Sequence, residues 1–433
     1  MKKAALILFT VFVLAGAFSC KKQDEIYKDF VVAGGLRYPQ KPDSLRIQSG
    51  WNRILVQWLK PVDPSVVRAR IFWNTGQDSL DVDLSNPDDT IKVILNDMEE
   101  NTYSIAVYTY DGKGNRSVAS ELSGSSYGSA YASSLADRSL VSAGMLTNTV
   151  ADFTFGSKTS ELVYTEIKYK STSGEYKTVR IPVTEKKVRI MDLDNSEPCS
   201  YRSVFLPKGG IDYIEKEWTE SEGPLPEDVL VLPKGPWTHV PLPTDTYSGW
   251  GGLDWLFNIP KLWDGDDHGD NNCWAGPGNG PREIWFTFDF GYKVSLRKMQ
   301  MFHRVYEVYS GDGVRHFQIW GNMDPNPDGS WDDSWYLLGD FEPYKPSGYQ
   351  PDGSVGAITD EDRNYWSNVN EFTFAKTDKV PDPFRETRCI RVKLLDSFNT
   401  YGTDSPTASY VLAELYFSGM MTDLEERDKY YKP

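Results

Sequence analysis

The stretch "LWDGDDHGDNNCW", residues 262–274, crowds acidic and amide side chains around two glycines, with tryptophans near both ends. Such a loop can hold a metal, act on a substrate, or simply turn the chain. An EF-hand is a poor fit. Counted from Asp264, position twelve is Ala275 rather than a bidentate Glu, and no helical pattern flanks the loop. Zinc through His268 and Cys273 lacks the remaining well-spaced ligands. An Asp/Gly turn without an ion stays open beside the metal readings.

A second set of residues has the chemistry to grip a sugar. That takes an aromatic face against the C–H side of the ring and a few planar polar groups at the hydroxyls. "FHRVYEVYSGDG" (302–313) offers His303, Arg304, Tyr306 and Tyr309. "YSGWGGLDW" (247–255) offers Trp250, "DEDRNYWSN" (360–368) Tyr365 and Trp366, and "FNTYGTD" (398–404) Tyr401. All read as strand ends and loops. Arg304 could instead form a surface ion pair with Glu307 or Asp312, and Trp250, Tyr365 and Trp366 could be loop packing. His239 and His316 read as ordinary structural or exposed histidines. No catalytic residue is expected: the sequence has no G-x-S-x-G, H-E-x-x-H or P-loop motif. With 62 acidic residues, a close carboxylate pair is inevitable and says nothing about glycoside hydrolysis.

The elements that must position these residues read as all-β. Short apolar and aromatic runs alternate with Gly, Asn, Asp and Pro clusters. "RILVQWL" (53–59), "VRARIFWN" (67–74), "TIKVIL" (90–95) and "TYSIAVYTY" (102–110) are expected strands. An internal echo follows, in which "LNDMEENTYSIAVY" (95–108) is matched by "LDNSEPCSYRSVFL" (193–206). Further on, "EIWFTFDFG" (283–291) alternates strictly, with Ile284, Phe286, Phe288 and Phe290 on one side and Trp285, Thr287 and Asp289 on the other. "LRKMQMFHR", "HFQIWGN", "RCIRVKLLD" and "YVLAELYFSG" are the other expected strands there.

Length and charge bound the rest. The chain has 433 residues and a formal net charge of −16, which argues against nucleic-acid binding. Residues 1–19 read as a signal peptide, and the small residues before Cys20 resemble a bacterial lipoprotein cleavage box. That resemblance implies a lipid on Cys20 and an outer-membrane, cell-surface location, with a polar tether over 20–40. Cys199, Cys273 and Cys389 form no obvious disulfide framework, and a Cys273–Cys389 bridge stays open.

The repeated pattern resembles fibronectin type III domains, over 41–125 and 126–222. The resemblance implies tyrosine corners at Tyr103 and Tyr201 and a core position for Trp58. A linker is expected at 223–235. Between 236 and 420, "LWDGDDHGDNNCW", "WFTFDFG", "FQIWGN", "DGSWDDSWYLLG", "RCIRVKL" and "AELYFSG" follow the order of a discoidin domain, the coagulation factor type C, galactose-binding-like jelly roll. A short tail, 421–433, closes the chain. The fold expected is thus all-β: two fibronectin-like sandwiches and a discoidin-like jelly roll.

The discoidin resemblance implies a structural Ca2+ held by Asp264, Asp266 and Glu414, ions of that kind taking hard oxygen ligands. It also implies ligand roles for Arg304, just after a strand, and Tyr401, before the last one. Where many galactose-binding members carry a His, this sequence has Ala275, so galactose preference does not transfer. With its anchor, the whole chain resembles surface lipoproteins of Bacteroidetes polysaccharide-utilisation systems. Glycan binding without catalysis is the function implied, and a scaffold for an outer-membrane uptake complex is the alternative.

Overall fold

A computed structural model describes Gly35 and residues 38–85, 88–267 and 272–431. The signal segment, Cys20, most of the tether and His268 to Asn271 lie outside the described residues. The chain divides into two compact units. One holds the chain to 137 with 159–164 and 203–217; the other holds 138–158, 165–202 and everything from 218. No helix among the described residues is long and apolar enough to cross a membrane.

The first unit is built on an antiparallel sandwich. Asp43–Gly50, Arg53–Leu59 and Thr90–Leu95 form one sheet. Asp78–Asp83, Val66–Trp73, Asn101–Asp111 and Ser120–Ser126 form the other, in that order. This three-on-four arrangement is that of fibronectin type III domains. Alternation sets the core: Ile54, Val56 and Trp58 of one sheet point inward, as do Ile71, Ile105 and Val107 of the other. Tyr103 is buried, and its hydroxyl donates to the Glu99 carbonyl at 3.0 Å. That bond ties the strand to the corner preceding it.

The second sandwich repeats the plan. Lys187–Ile190, Ala151–Phe155 and Leu140–Met145 make a three-stranded sheet. Tyr176–Pro182, Leu162–Lys170 and Ser200–Phe205, extended by Ile214–Glu215 and Thr219–Glu220, make the facing one. Tyr201 packs edge-on to Phe155, ring centres 6.1 Å apart. Met420, from the far end of the chain, joins the core of Phe153, Phe155 and Ile167.

The Pro- and acid-rich stretch expected to be a linker is packed. Asp228 N donates to the Met145 carbonyl and Met145 N to the Pro226 carbonyl, both at 2.8 Å. Glu227 takes a two-pronged bond from Arg297, at 2.7 and 2.9 Å. Leu230–Val231 pairs with the last long strand, and Leu232 is buried in the jelly-roll core. Proline and acid content mark exposed linkers on average, but here Leu225 and Leu232 supply apolar surface that can be covered.

The jelly roll is organised by one 19-residue strand, Ile284–Phe302. The sequence reads as two strands, "EIWFTFDFG" and "LRKMQMFHR". The chain instead bends within one strand, at Gly291, whose φ is +80°. A Cβ there would lie 2.8 Å from Pro236 Cβ, so glycine serves both the backbone angle and the close approach. The register shifts at this bend. Before it the strand pairs with Thr387–Ser397; after it, apart from one pair of Val294 with Thr387, with Glu414–Met421. Val314–Asn322 and Tyr336–Phe341 complete the main sheet. Ile284, Phe286, Phe288 and Phe290 all lie in the core, as alternation requires.

Candidate functional site

The acidic turn does meet the last strand. Glu414 is fully buried, and its Oε1 accepts the Gly265 N–H at 3.1 Å. The same oxygen takes a hydrogen bond from the ammonium of Lys234. That ammonium also lies 3.2 Å above the centre of the Tyr416 ring. Burial raises the Glu414 carboxyl above its ordinary range and lowers the Lys234 ammonium, while the contact between them works against both shifts. Asp264 is occupied as well. Its Oδ1 accepts from Asp266 N at 3.1 Å, its Oδ2 from Asn272 Nδ2 at 2.8 Å, and Lys261 Nζ lies 3.7 Å away. Asn272 also donates to Asp266 Oδ2 at 3.3 Å. Among the described residues, no group of three His, Cys, Asp or Glu side chains converges on a metal position.

The residues expected at a sugar site separate into three groups. His303, Tyr309 and Trp366 are packing residues, which corrects the expectation that they meet ligand. They are only 3%, 1% and 1% exposed, and they pack on one another: His303 stacks on Trp366 at 4.3 Å, and Tyr309 lies tilted against Trp366 at 4.5 Å. The His303 ring accepts the Val314 N–H through Nε2 at 3.1 Å, and burial pulls its pKa down to about 3. Trp366 is buried because "DEDRNYWSN" is a helix, Asp360–Asn368, and not a loop. Thr359 caps it and Asp362 closes the capping box, a T-x-x-D signal that the sequence does contain. Tyr365, on the same helix, donates its hydroxyl to the Glu371 carbonyl at 3.1 Å and packs against Tyr344.

Tyr401 stands apart. Arg315, almost wholly buried, lies between Tyr349 and Tyr401, its guanidinium 4.1 and 4.2 Å from the two ring centres. One face of Tyr401 is therefore already spoken for by a cation.

Arg304, Tyr306 and Trp250 make the third group, in which two exposed rings adjoin an arginine whose side chain is 21% exposed. Tyr306 is 60% exposed and Trp250 54% exposed. Arg304 follows the long strand directly. Its guanidinium lies 5.8 Å from the centre of the Tyr306 ring and 3.9 Å from Glu307 Oε1. It also approaches Cys273 Sγ at 3.8 Å. Phe257 packs against the small buried cluster of Cys273, Ala275 and Val411, and Trp250 stands edge-on to Phe257 at 6.2 Å. Thus the Gly-rich loop around Trp250 and the segment around Arg304 adjoin the same buried cluster. Burial and the neighbouring Asp312 raise the Glu307 carboxyl. A guanidinium carries five donors, and the Arg304 contacts are long.

Sequence reading missed a second aromatic surface, on the outer face of the main sheet. Trp331 packs against Trp285 at 5.6 Å and Trp320 at 5.2 Å, near-perpendicular to both. Cross-strand register sets the neighbours: Trp285 opposes Lys393, which opposes Gln318, which opposes Asp340. Beneath Trp331 and Trp335, Arg391 is fully buried and bonds Thr287 Oγ1 at 3.0 Å, with Asp245 3.3 Å away. The signal was present as "DGSWDDSW", but nothing in it says which sheet face it covers.

Two family models match the chain, both described only as domains of unknown function: DUF4998 over 20–214 and DUF5000 over 263–419. No curated protein matches. Among solved structures, similarity extends to a SusE-like protein, BT2857, at 16% identity, with 87% of this chain and 96% of that one covered and a TM-score of 0.36. A CBM32 module from a family 31 glycoside hydrolase of Clostridium perfringens aligns at 12% identity, with coverages of 44% and 94% and a TM-score of 0.29. A two-domain fibronectin type III segment of chicken tenascin aligns at 13% identity, with coverages of 42% and 98% and a TM-score of 0.19.

Proposed function

We propose that this chain is a non-catalytic glycan-binding protein of the outer cell surface. In this reading Cys20 carries the lipid, the sandwiches act as spacers, and the jelly-roll rim meets the sugar. The observation that supports it is the exposed ring of Tyr306 beside the lightly engaged guanidinium of Arg304. An exposed aromatic ring lies beside a part-buried planar donor, with the exposed Trp250 on the adjoining loop. One shallow site of this kind binds weakly, and a millimolar Kd needs only about 4 kcal/mol. Many anchored copies acting on one polymer would raise the effective grip.

The test is a glycan array and affinity electrophoresis on soluble polysaccharides, with the unaltered chain, Arg304→Ala and Tyr306→Ala. Loss of one stacking face or one charged donor is expected to weaken binding by about fivefold to about a hundredfold, each being worth roughly 1–3 kcal/mol. Binding that survives both changes and disappears in Trp331→Ala would move the site to the tryptophan face of the sheet. Failure to bind any glycan would favour the scaffold reading, in which the chain serves as a protein-binding subunit of an uptake complex.

A further inference from the structure

We propose that Lys234 is the resident cation of the acidic turn, standing where a calcium ion would otherwise join Asp264 to Glu414. The inference does not depend on the glycan reading. A calcium ion at such a turn would neutralise carboxylates brought together by the fold, and it would tie the loop to the closing strand. Lys234 does both.

Its ammonium bonds the buried Glu414 carboxylate and rests on the face of Tyr416, two residues along the same strand. The Glu414 oxygen it holds also takes the Gly265 N–H from the turn. Loop, strand and lysine therefore meet at one oxygen. The lysine is delivered there by backbone pairing. Leu230 and Val231 pair with Gly419 and Ser418, Leu232 N donates to the Phe417 carbonyl at 2.8 Å, and Trp237 N closes a turn on the Lys234 carbonyl at 3.0 Å. Trp237 is buried in the core, which fixes the far side of that turn.

Among the described residues, the donor set does not suit calcium. Calcium takes six to eight oxygens. Both oxygens of Asp264 already accept hydrogen bonds, from Asp266 N and from Asn272, and Lys261 lies beside them. Glu414 Oε2 is the one carboxylate oxygen of Asp264 and Glu414 that is buried without a partner among the described residues. A divalent ion seated on it would stand next to the Lys234 ammonium, and like charges there disfavour each other in a low-dielectric site. Two lysines, 234 and 261, bring the turn the same two positive charges that one calcium ion would.

The test reads heat stability and lanthanide binding of the purified chain. Ten of its fourteen tryptophans lie between 236 and 420, so tryptophan fluorescence follows the jelly roll. With the unaltered protein, excess EDTA or millimolar CaCl2 is expected to move the melting temperature by less than about 2 °C, because an ion that does not bind the native state cannot stabilise it. Terbium, a calcium mimic, should show no saturable luminescence sensitised by Trp263, which adjoins Asp264. Lys234→Gln leaves Glu414 buried without its cation and is expected to lower the melting temperature by about 6–15 °C, whereas Lys234→Arg should recover at least about half of that loss. The proposal is overturned if EDTA lowers melting of the unaltered protein by more than about 3 °C and calcium restores it. Saturable terbium binding to the unaltered protein, or Lys234→Gln melting like the parent, would overturn it too. The chelation and terbium arms use protein that folds normally, so they decide the matter even if Lys234→Gln does not fold.

Discussion

Acid should weaken the jelly roll as the pH falls from 7 toward 5, because two of its histidines are held neutral. His303 is buried against Trp366 and uses Nε2 to accept the Val314 N–H, a role that a protonated nitrogen cannot fill. Burial takes it to about 3. His239 sits on the short strand Thr238–His239, packed against Tyr247 at 4.7 Å, and burial takes it to about 4. For a base with a depressed folded pKa, the unfolded chain binds the extra proton. Stability is therefore full above the unfolded value of about 6.5 and falls as pH drops toward the folded value. Between pH 7 and pH 5 each such histidine should cost about 1.9 kcal/mol, and the two together about 4. At roughly 2–4 °C per kcal/mol, that is a fall of about 8–15 °C in melting temperature.

Glu307, Glu414 and Asp245 act with the opposite sign. Burial raises all three, so the folded state takes up their protons first and part of the loss is offset. The discriminating measurement is therefore a difference. Tryptophan-fluorescence melts are run from pH 7 to pH 5 on the unaltered chain and on His239→Gln. The variant should lose about 1.9 kcal/mol less over that interval, or about 4–7 °C, because one titrating group is gone. Identical pH dependence in the two proteins would refute the assignment of a buried neutral His239.

Tyr103→Phe removes the hydroxyl bond to the Glu99 carbonyl and should destabilise the first sandwich by about 1 kcal/mol, read as a lower denaturation midpoint. In the same sandwich Trp58→Ala opens a cavity between the sheets and should cost about 3–5 kcal/mol, so an undiminished midpoint would contradict the packing described. Cys199, Cys273 and Cys389 are free and buried, and burial pushes Cys199 up to about 11 and Cys389 up to about 12. Iodoacetamide at pH 8 should leave all three unmodified until denaturant is added, as mass spectrometry of the intact chain would show.

Sequence alone was enough wherever the physics is local. Period-two alternation put Ile284, Phe286, Phe288 and Phe290 on one side of their strand, and all four are buried; Trp58, placed in the core by the fibronectin resemblance, is buried too. Alternation reports one face faithfully because apolar side chains must leave water. It says nothing of what covers the other face. Thr287 was expected to point away from that core and does, yet it too is fully buried, under Asp245 and Arg391 and the tryptophans above them. The same limit applies to the site. Residue type marked His303, Tyr309, Trp366 and Arg304 alike as able to touch a sugar. Only the helix that carries Trp366 onto His303 and Tyr309, and the rim beside Arg304, separated them. Lys234 carried no local signal at all, since a lysine between two prolines reads as exposed linker. Its place beside Glu414 follows from pairing between segments some 180 residues apart, and that is a property of the folded sheet.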